Sequence, residues 1–143
     1  MGMNEPLVYL DTCSVIYFVE EHPVFGPAVI QALTSRPTPK IGISPLVEME
    51  CLVAPLRLQN TALLDRYKKF FEQCLCFEMP PVVYQRAAEL RAFHSLKTPD
   101  ALHLATAQYH GCTAIWTNDN RLNNSASNLA INILTPLKKI SHD

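Results

Sequence analysis

The chain has little that would carry it into or across a membrane. Apolar runs such as residues 7–10 and 130–134 are strand-sized, far short of the roughly 20 residues a spanning helix needs. No basic stretch followed by an apolar core opens the chain, so no secretory leader is expected. Met1-Gly2 does not begin a myristoylation signal, because Pro6 stands where Ser or Thr is wanted. The five cysteines (Cys13, Cys51, Cys74, Cys76 and Cys112) are odd in number, and no pair is spaced C-x-x-C. That argues against a disulfide framework and for a reduced, cytoplasmic setting. A basic surplus is also missing: 12 Lys and Arg stand against 13 Asp and Glu, a formal net charge of −1. Nucleic-acid binders usually carry the opposite imbalance. A cluster of carboxylates built to hold metal would, however, lower the count and still leave a basic rim elsewhere.

What is present suffices for a core. A chain of 143 residues fits one compact domain over 1–143. A domain of this size buries roughly 68–70% of the surface exposed by its unfolded chain, so it needs neither disulfides nor a structural metal. Hydrophobic residues make up 48% and charged residues 17%, an ordinary globular balance. There is no internal repeat, low-complexity tract or linker.

The pattern alternates strands and helices. Residues 6–10 read as a buried strand ending at Asp11, followed by helices over 13–21 and 27–33. Pro37 and Pro39 mark a loop over 35–40, and 41–43 is a short strand. Ser44-Pro45 is a helix start, a hydroxyl N-cap followed by proline, and Pro55 is expected to end or kink that helix. Residues 61–73 and 81–93 carry helical spacing, with a third strand expected over 75–79. Thr98-Pro99 repeats the N-cap signal and opens a helix to about His110, stopped by Gly111. Residues 112–117 are a buried strand and 131–134 the last one, with loop or a helical turn over 118–128 between them. Strands alternating with helices imply a mostly parallel sheet covered on both faces.

Sites in open α/β sheets form beyond the carboxyl ends of the strands. Asp11 directly follows the first strand, and Asp119 follows the 112–117 strand by two residues. Asp100 is the second residue after Thr98, at the start of its helix, and Glu50 lies on the helix after the 41–43 strand. One architecture thus brings four distant acids to one edge. Each alone has a bland reading: Asp100 as a helix-dipole partner, Asp119 as a turn residue, Glu50 as a surface acid. Together they need a reason, since two carboxylates 4 Å apart repel by about 4 kcal/mol at an effective dielectric of about 20. Bound Mg²⁺ or Mn²⁺ removes that cost, favours oxygen ligands and suits phosphodiester hydrolysis. Glu48 competes with Glu50; the two point to nearly opposite helix faces, and periodicity does not decide between them.

Other signals are weaker. Cys51 and Arg57 have the spacing of a phosphatase loop, but the residues between them are apolar, Gly-free and helical. His103 lies one turn after Asp100 and reads either as a hydrogen-bond partner of a metal ligand or as a packed core histidine. Lys68-Lys69 and Lys138-Lys139 read as solvated surface, and Phe70-Phe71 as core or dimer contact.

The segments Leu7-Val8-Tyr9-Leu10-Asp11-Thr12, Ile43-Ser44 with Glu50 six residues on, Thr98-Pro99-Asp100-Ala101-Leu102-His103-Leu104-Ala105-Thr106-Ala107 and Thr117-Asn118-Asp119 resemble the PIN-domain nucleases. Within these they are most similar to the VapC-like toxins of toxin–antitoxin pairs. The resemblance covers essentially the whole chain and selects Glu50 over Glu48. It implies a three-layer α/β/α fold around a mostly parallel sheet, and Mg²⁺- or Mn²⁺-dependent endoribonuclease activity with Asp11, Glu50, Asp100 and Asp119 as metal-binding, catalytic acids. It implies supporting roles for Thr12 and Thr117, holding waters or a carboxylate, and a lesser one for Asn118. It also implies a homodimer and a small antitoxin that blocks the site. A housekeeping RNA-processing nuclease and a non-catalytic PIN module binding RNA or protein are the alternatives. Cys13 departs from the Ser or Asn common at its position, and its weaker hydrogen-bonding side chain speaks against a polar role there.

Overall fold

A computed structural model describes residues 6–118 and the backbone of 130–132. Strand β1 (Leu7–Leu10) is buried along three of its four residues, as its unbroken apolar run requires of a strand covered on both faces. It occupies the middle of a five-stranded sheet of order β3-β2-β1-β4-β5, in which every neighbouring pair is parallel. The other strands are β2 (Lys40–Ile43), β3 (Leu75–Cys76), β4 (Ala114–Thr117) and β5 (Ala130–Asn132). Val8 of β1 is in register with Ile41 on one side and Ala114 on the other.

Helices α1 (Thr12–Val19) and α2 (Gly26–Thr34) connect β1 to β2, and α3 (Pro45–Arg57) and α4 (Thr61–Glu72) connect β2 to β3. Helices α5 (Pro81–His94) and α6 (Thr98–Tyr109) then carry the chain back across the sheet to β4. The first four pack against one another and α5 packs on α6. Right-handed crossovers running in opposite directions put these two groups on opposite faces, giving three α/β/α layers. Among the described residues, no helix is long and apolar enough to cross a membrane.

Three local expectations change. Pro55 does not end α3, which runs on to Arg57. The proline sits in the last turn and is buried, and the backbone of Leu58 still closes onto Ala54 at 2.9 Å. Thr98 is the first helical residue of α6 rather than its N-cap. Lys97 caps that helix with extended backbone and no side-chain bond, so Asp100 is the third helical residue. The strand expected over 75–79 pairs only at Leu75–Cys76, with one further bond from the Phe77 amide to Ile43 at 2.7 Å. The last strand is described at Ala130–Asn132; residues 119–129 and 133–143, with the expected loop and Lys138-Lys139, lie outside the described residues.

Gly42 decides how β2 meets the core. A Cβ built there would lie 2.1 Å from Cε2 of Phe77. The absent side chain lets the Phe77 ring lie on the strand and stack on Tyr9 of β1, with centroids 6.0 Å apart and planes 11° apart. Any larger residue must push that ring away, and with it the support of Tyr9.

Candidate active site

The connection leaves β1 toward β2 on one side, while β4 joins β1 from the other. That reversal opens a cleft beyond the carboxyl ends of β1 and β4. A cavity of about 370 Å³ lies there, lined by Asp11, Thr12, Cys13, Glu50, Pro99, Asp100, His103, Thr117 and Asn118. Three of the four expected acids therefore share one cleft. Asp119 lies outside the described residues, directly after Asn118. Thr117 is fully buried and Asn118 is exposed. Glu48 is not part of the lining.

Asp11 is only 8% exposed, and its backbone is extended because it is the N-cap of α1. Its Oδ1 accepts from the Ser14 amide at 3.1 Å. The Ser14 hydroxyl in turn donates to the Trp116 carbonyl at 3.0 Å, tying the start of α1 to β4. Cys13 corrects the expectation of an inert position. Burial, followed by the charge of Asp11, pushes its thiol well above the usual range, so the thiol stays protonated. It donates to Asp11 Oδ1 at 3.0 Å.

Glu50 is held from two sides. The Thr12 hydroxyl donates to its Oε1, and the same oxygen lies 3.0 Å from Nε2 of His103. Burial pushes the Glu50 carboxyl up, hydrogen bonds from His103 and Thr12 pull it down, and the net result is a lowering. The side chain is thus an anion that presents 25% of its surface to solvent. His103, 4% exposed, reaches the Tyr9 hydroxyl through Nδ1 at 2.6 Å, and that hydroxyl reaches Ser44 Oγ at 2.7 Å.

Tyr9 and Ser44 were not visible as site residues in the sequence. Tyr9 hides within an apolar strand, and Ser44 reads as a helix cap, which it also is, accepting from Val47 at 3.3 Å. The available signal was the phenol itself, since a tyrosine hydroxyl in a fully buried run needs a partner.

The donor set suits a hard divalent cation. The lining acids offer oxygen, the Cys13 thiol is protonated, and both ring nitrogens of His103 are already engaged. Among the described residues, no group of three or more His, Cys, Asp or Glu side chains already converges tightly enough to hold a metal. A larger groove of about 450 Å³ beside Phe18, Ile30 and Phe70 includes a single acid, Glu21, and has no such constellation.

A family model described as PIN domain matches residues 8–127. The chain belongs to the PIN domain family. No curated protein matches it. Among solved structures, the PIN domain is similar to a chain of a toxin-antitoxin complex from Klebsiella pneumoniae, at 23% identity and a TM-score of 0.73, covering 88% of this chain and 97% of that one. It is similar to FitAcB from Neisseria gonorrhoeae at 20% identity and a TM-score of 0.69, covering 88% and 97%. It is also similar to VapC20 of Mycobacterium tuberculosis, a sarcin-ricin loop cleaving toxin, at 15% identity and a TM-score of 0.68, covering 82% and 94%. At these identities the likeness is one of fold.

Proposed function

We propose that this PIN domain is a Mg²⁺- or Mn²⁺-dependent endoribonuclease and the toxin of a toxin–antitoxin pair. The observation that carries the reading is the convergence of Asp11, Glu50 and Asp100, distant in sequence, on one cleft at the switch point of the sheet. Asp11, Glu50 and Asp100, with Asp119, would hold the cation. A divalent cation there supplies an activated water and neutralises phosphate charge, which is what phosphodiester hydrolysis requires. The protein's own groups do the positioning. The Ser14 amide and Cys13 thiol aim Asp11, Thr12 and His103 aim Glu50, and the first turn of α6 keeps Asp100 beside backbone amides that favour its charge. Thr117 and Asn118 complete the wall of the cleft on the β4 side.

The substrate class is RNA. The partners are a second copy of the chain and a small antitoxin that covers the cleft, and the setting is the cytoplasm. Among the chains of similar fold, one comes from a toxin-antitoxin complex and another is a sarcin-ricin loop cleaving toxin, which supports the toxin reading. Expression in a bacterial host tests it. Wild-type protein should arrest growth, and Asp11→Asn should relieve the arrest. Equal growth with both proteins, together with no RNA degradation by either, would remove the toxin reading.

A further inference from the structure

With a neutral His103, one chain of hydrogen bonds behind the cleft runs in a single direction. Its members are Ser44, Tyr9 and His103, from the start of α3, the middle of β1 and α6, and it ends on Glu50. Glu50 as an anion can only accept, so Nε2 of His103 must donate. A neutral imidazole then has a bare Nδ1, which accepts from the Tyr9 hydroxyl. The Tyr9 oxygen accepts from the Ser44 hydroxyl, and Ser44 Oγ accepts from the Val47 amide. The reverse direction would set a bare Nε2 lone pair against the carboxylate. Tyr9 and Ser44 are fully buried, so water has no access to replace either link. The two bonds to Glu50 both fall on Oε1, and among the described residues none falls on Oε2.

We propose that Tyr9 and His103 are positioning residues, a relay that fixes the imidazole with its proton on Nε2 and thereby clamps Oε1 of Glu50 so that Oε2 is free for a divalent cation. The relay rests on the reading of the cleft as a metal site, and it adds residues that never touch the cation. Thr12 and His103 grip the carboxylate from different elements, α1 and α6, which restrains its rotation. The stack of Phe77 on Tyr9 is the outer support, and Gly42 makes room for it. The pattern matches the general behaviour of metal sites, where outer hydrogen-bond partners orient the ligands and their loss typically weakens metal binding by about 10–100-fold.

Two readouts separate the relay from a merely structural role. The first is ¹⁵N NMR of the His103 ring in the metal-free protein. The wild type should show the Nε2-protonated tautomer, and Tyr9→Phe should shift the ring nitrogens toward a tautomer mixture. The second is Mn²⁺ affinity by titration. His103→Ala should weaken it by about 10–100-fold, and His103→Gln, whose amide can still donate to Glu50, should recover most of the loss. An Nδ1-protonated ring in the wild type, or unchanged ring shifts in Tyr9→Phe, overturns the relay. So does His103→Ala binding Mn²⁺ as tightly as wild type. If wild-type protein neither binds Mn²⁺ nor cuts RNA, the metal-nuclease reading falls, and the tautomer measurement alone still decides whether the relay runs as described.

Discussion

Asp11 has two jobs that substitution can separate. It caps α1 through Oδ1, and it carries a charge into the cleft. Asparagine caps about as well as aspartate, whereas alanine does not; losing an N-cap costs about 1 kcal/mol, within a range of roughly 0.5–2. Asp11→Ala also strands the Cys13 thiol, a weak donor whose loss adds little. Unfolding entropy near 2.1 cal/mol/K per residue gives this chain about 0.3 kcal/mol/K, so the lost cap lowers Tm by about 3 °C. Asp11→Asn keeps the cap and loses only a charge–dipole contribution of about 0.3–1 kcal/mol, offset by relief from the neighbouring acids. Thermal unfolding of the three proteins without metal should therefore rank wild type and Asp11→Asn together, with Asp11→Ala below. Equal Tm values for the two variants would refute the capping role. It would also remove Asp11→Asn as a clean test of the charge.

Other substitutions probe the remaining links. Gly42→Ala should destabilise by about 1–3 kcal/mol in chemical denaturation, because the new methyl collides with the Phe77 ring; an unchanged midpoint would show that the ring moves without cost. Glu50→Gln should abolish RNA cleavage while Glu48→Gln leaves it near wild type, and the opposite result would put the wrong acid in the cleft. Alkylation of the native protein, followed by mass spectrometry, should label exposed Cys76 first and buried Cys51 and Cys112 last. Burial also pushes the Cys112 thiol up to about 12, which starves it of reactive thiolate. Fast labelling of Cys112 would contradict its placement in the core.

Much of this was legible in the chain. An apolar strand running into an acid identified β1 and Asp11, and Ser44-Pro45 marked the start of α3 with its cap bond to Val47. The signals that misled were local ones overridden by context. Thr98-Pro99 has the chemistry of a cap, yet the extended backbone falls one residue earlier, on Lys97. The apolar residues after Cys76 suggested more strand, but Phe77 turns its ring onto Gly42, and Pro80 and Pro81 prevent the ladder from continuing. The choice between Glu48 and Glu50 was beyond periodicity, because the contacts that place Glu50 come from Thr12 and His103, 38 and 53 residues away. The relay through Tyr9 was hidden for the same reason: its link to His103 spans 94 residues.

RNA cleavage at this acidic cleft should depend on a divalent ion. The direct measurement is cleavage of a labelled RNA by purified wild-type and Asp11→Asn proteins, each with Mn²⁺, with Mg²⁺ and with EDTA. Wild-type protein should cut with either metal and not at all in EDTA. Asp11→Asn should lose at least as much activity as the roughly 10–100-fold that follows removal of a ligand's outer partner. Equal cleavage by both proteins, or cleavage that persists in EDTA, would contradict a metal-dependent role for Asp11.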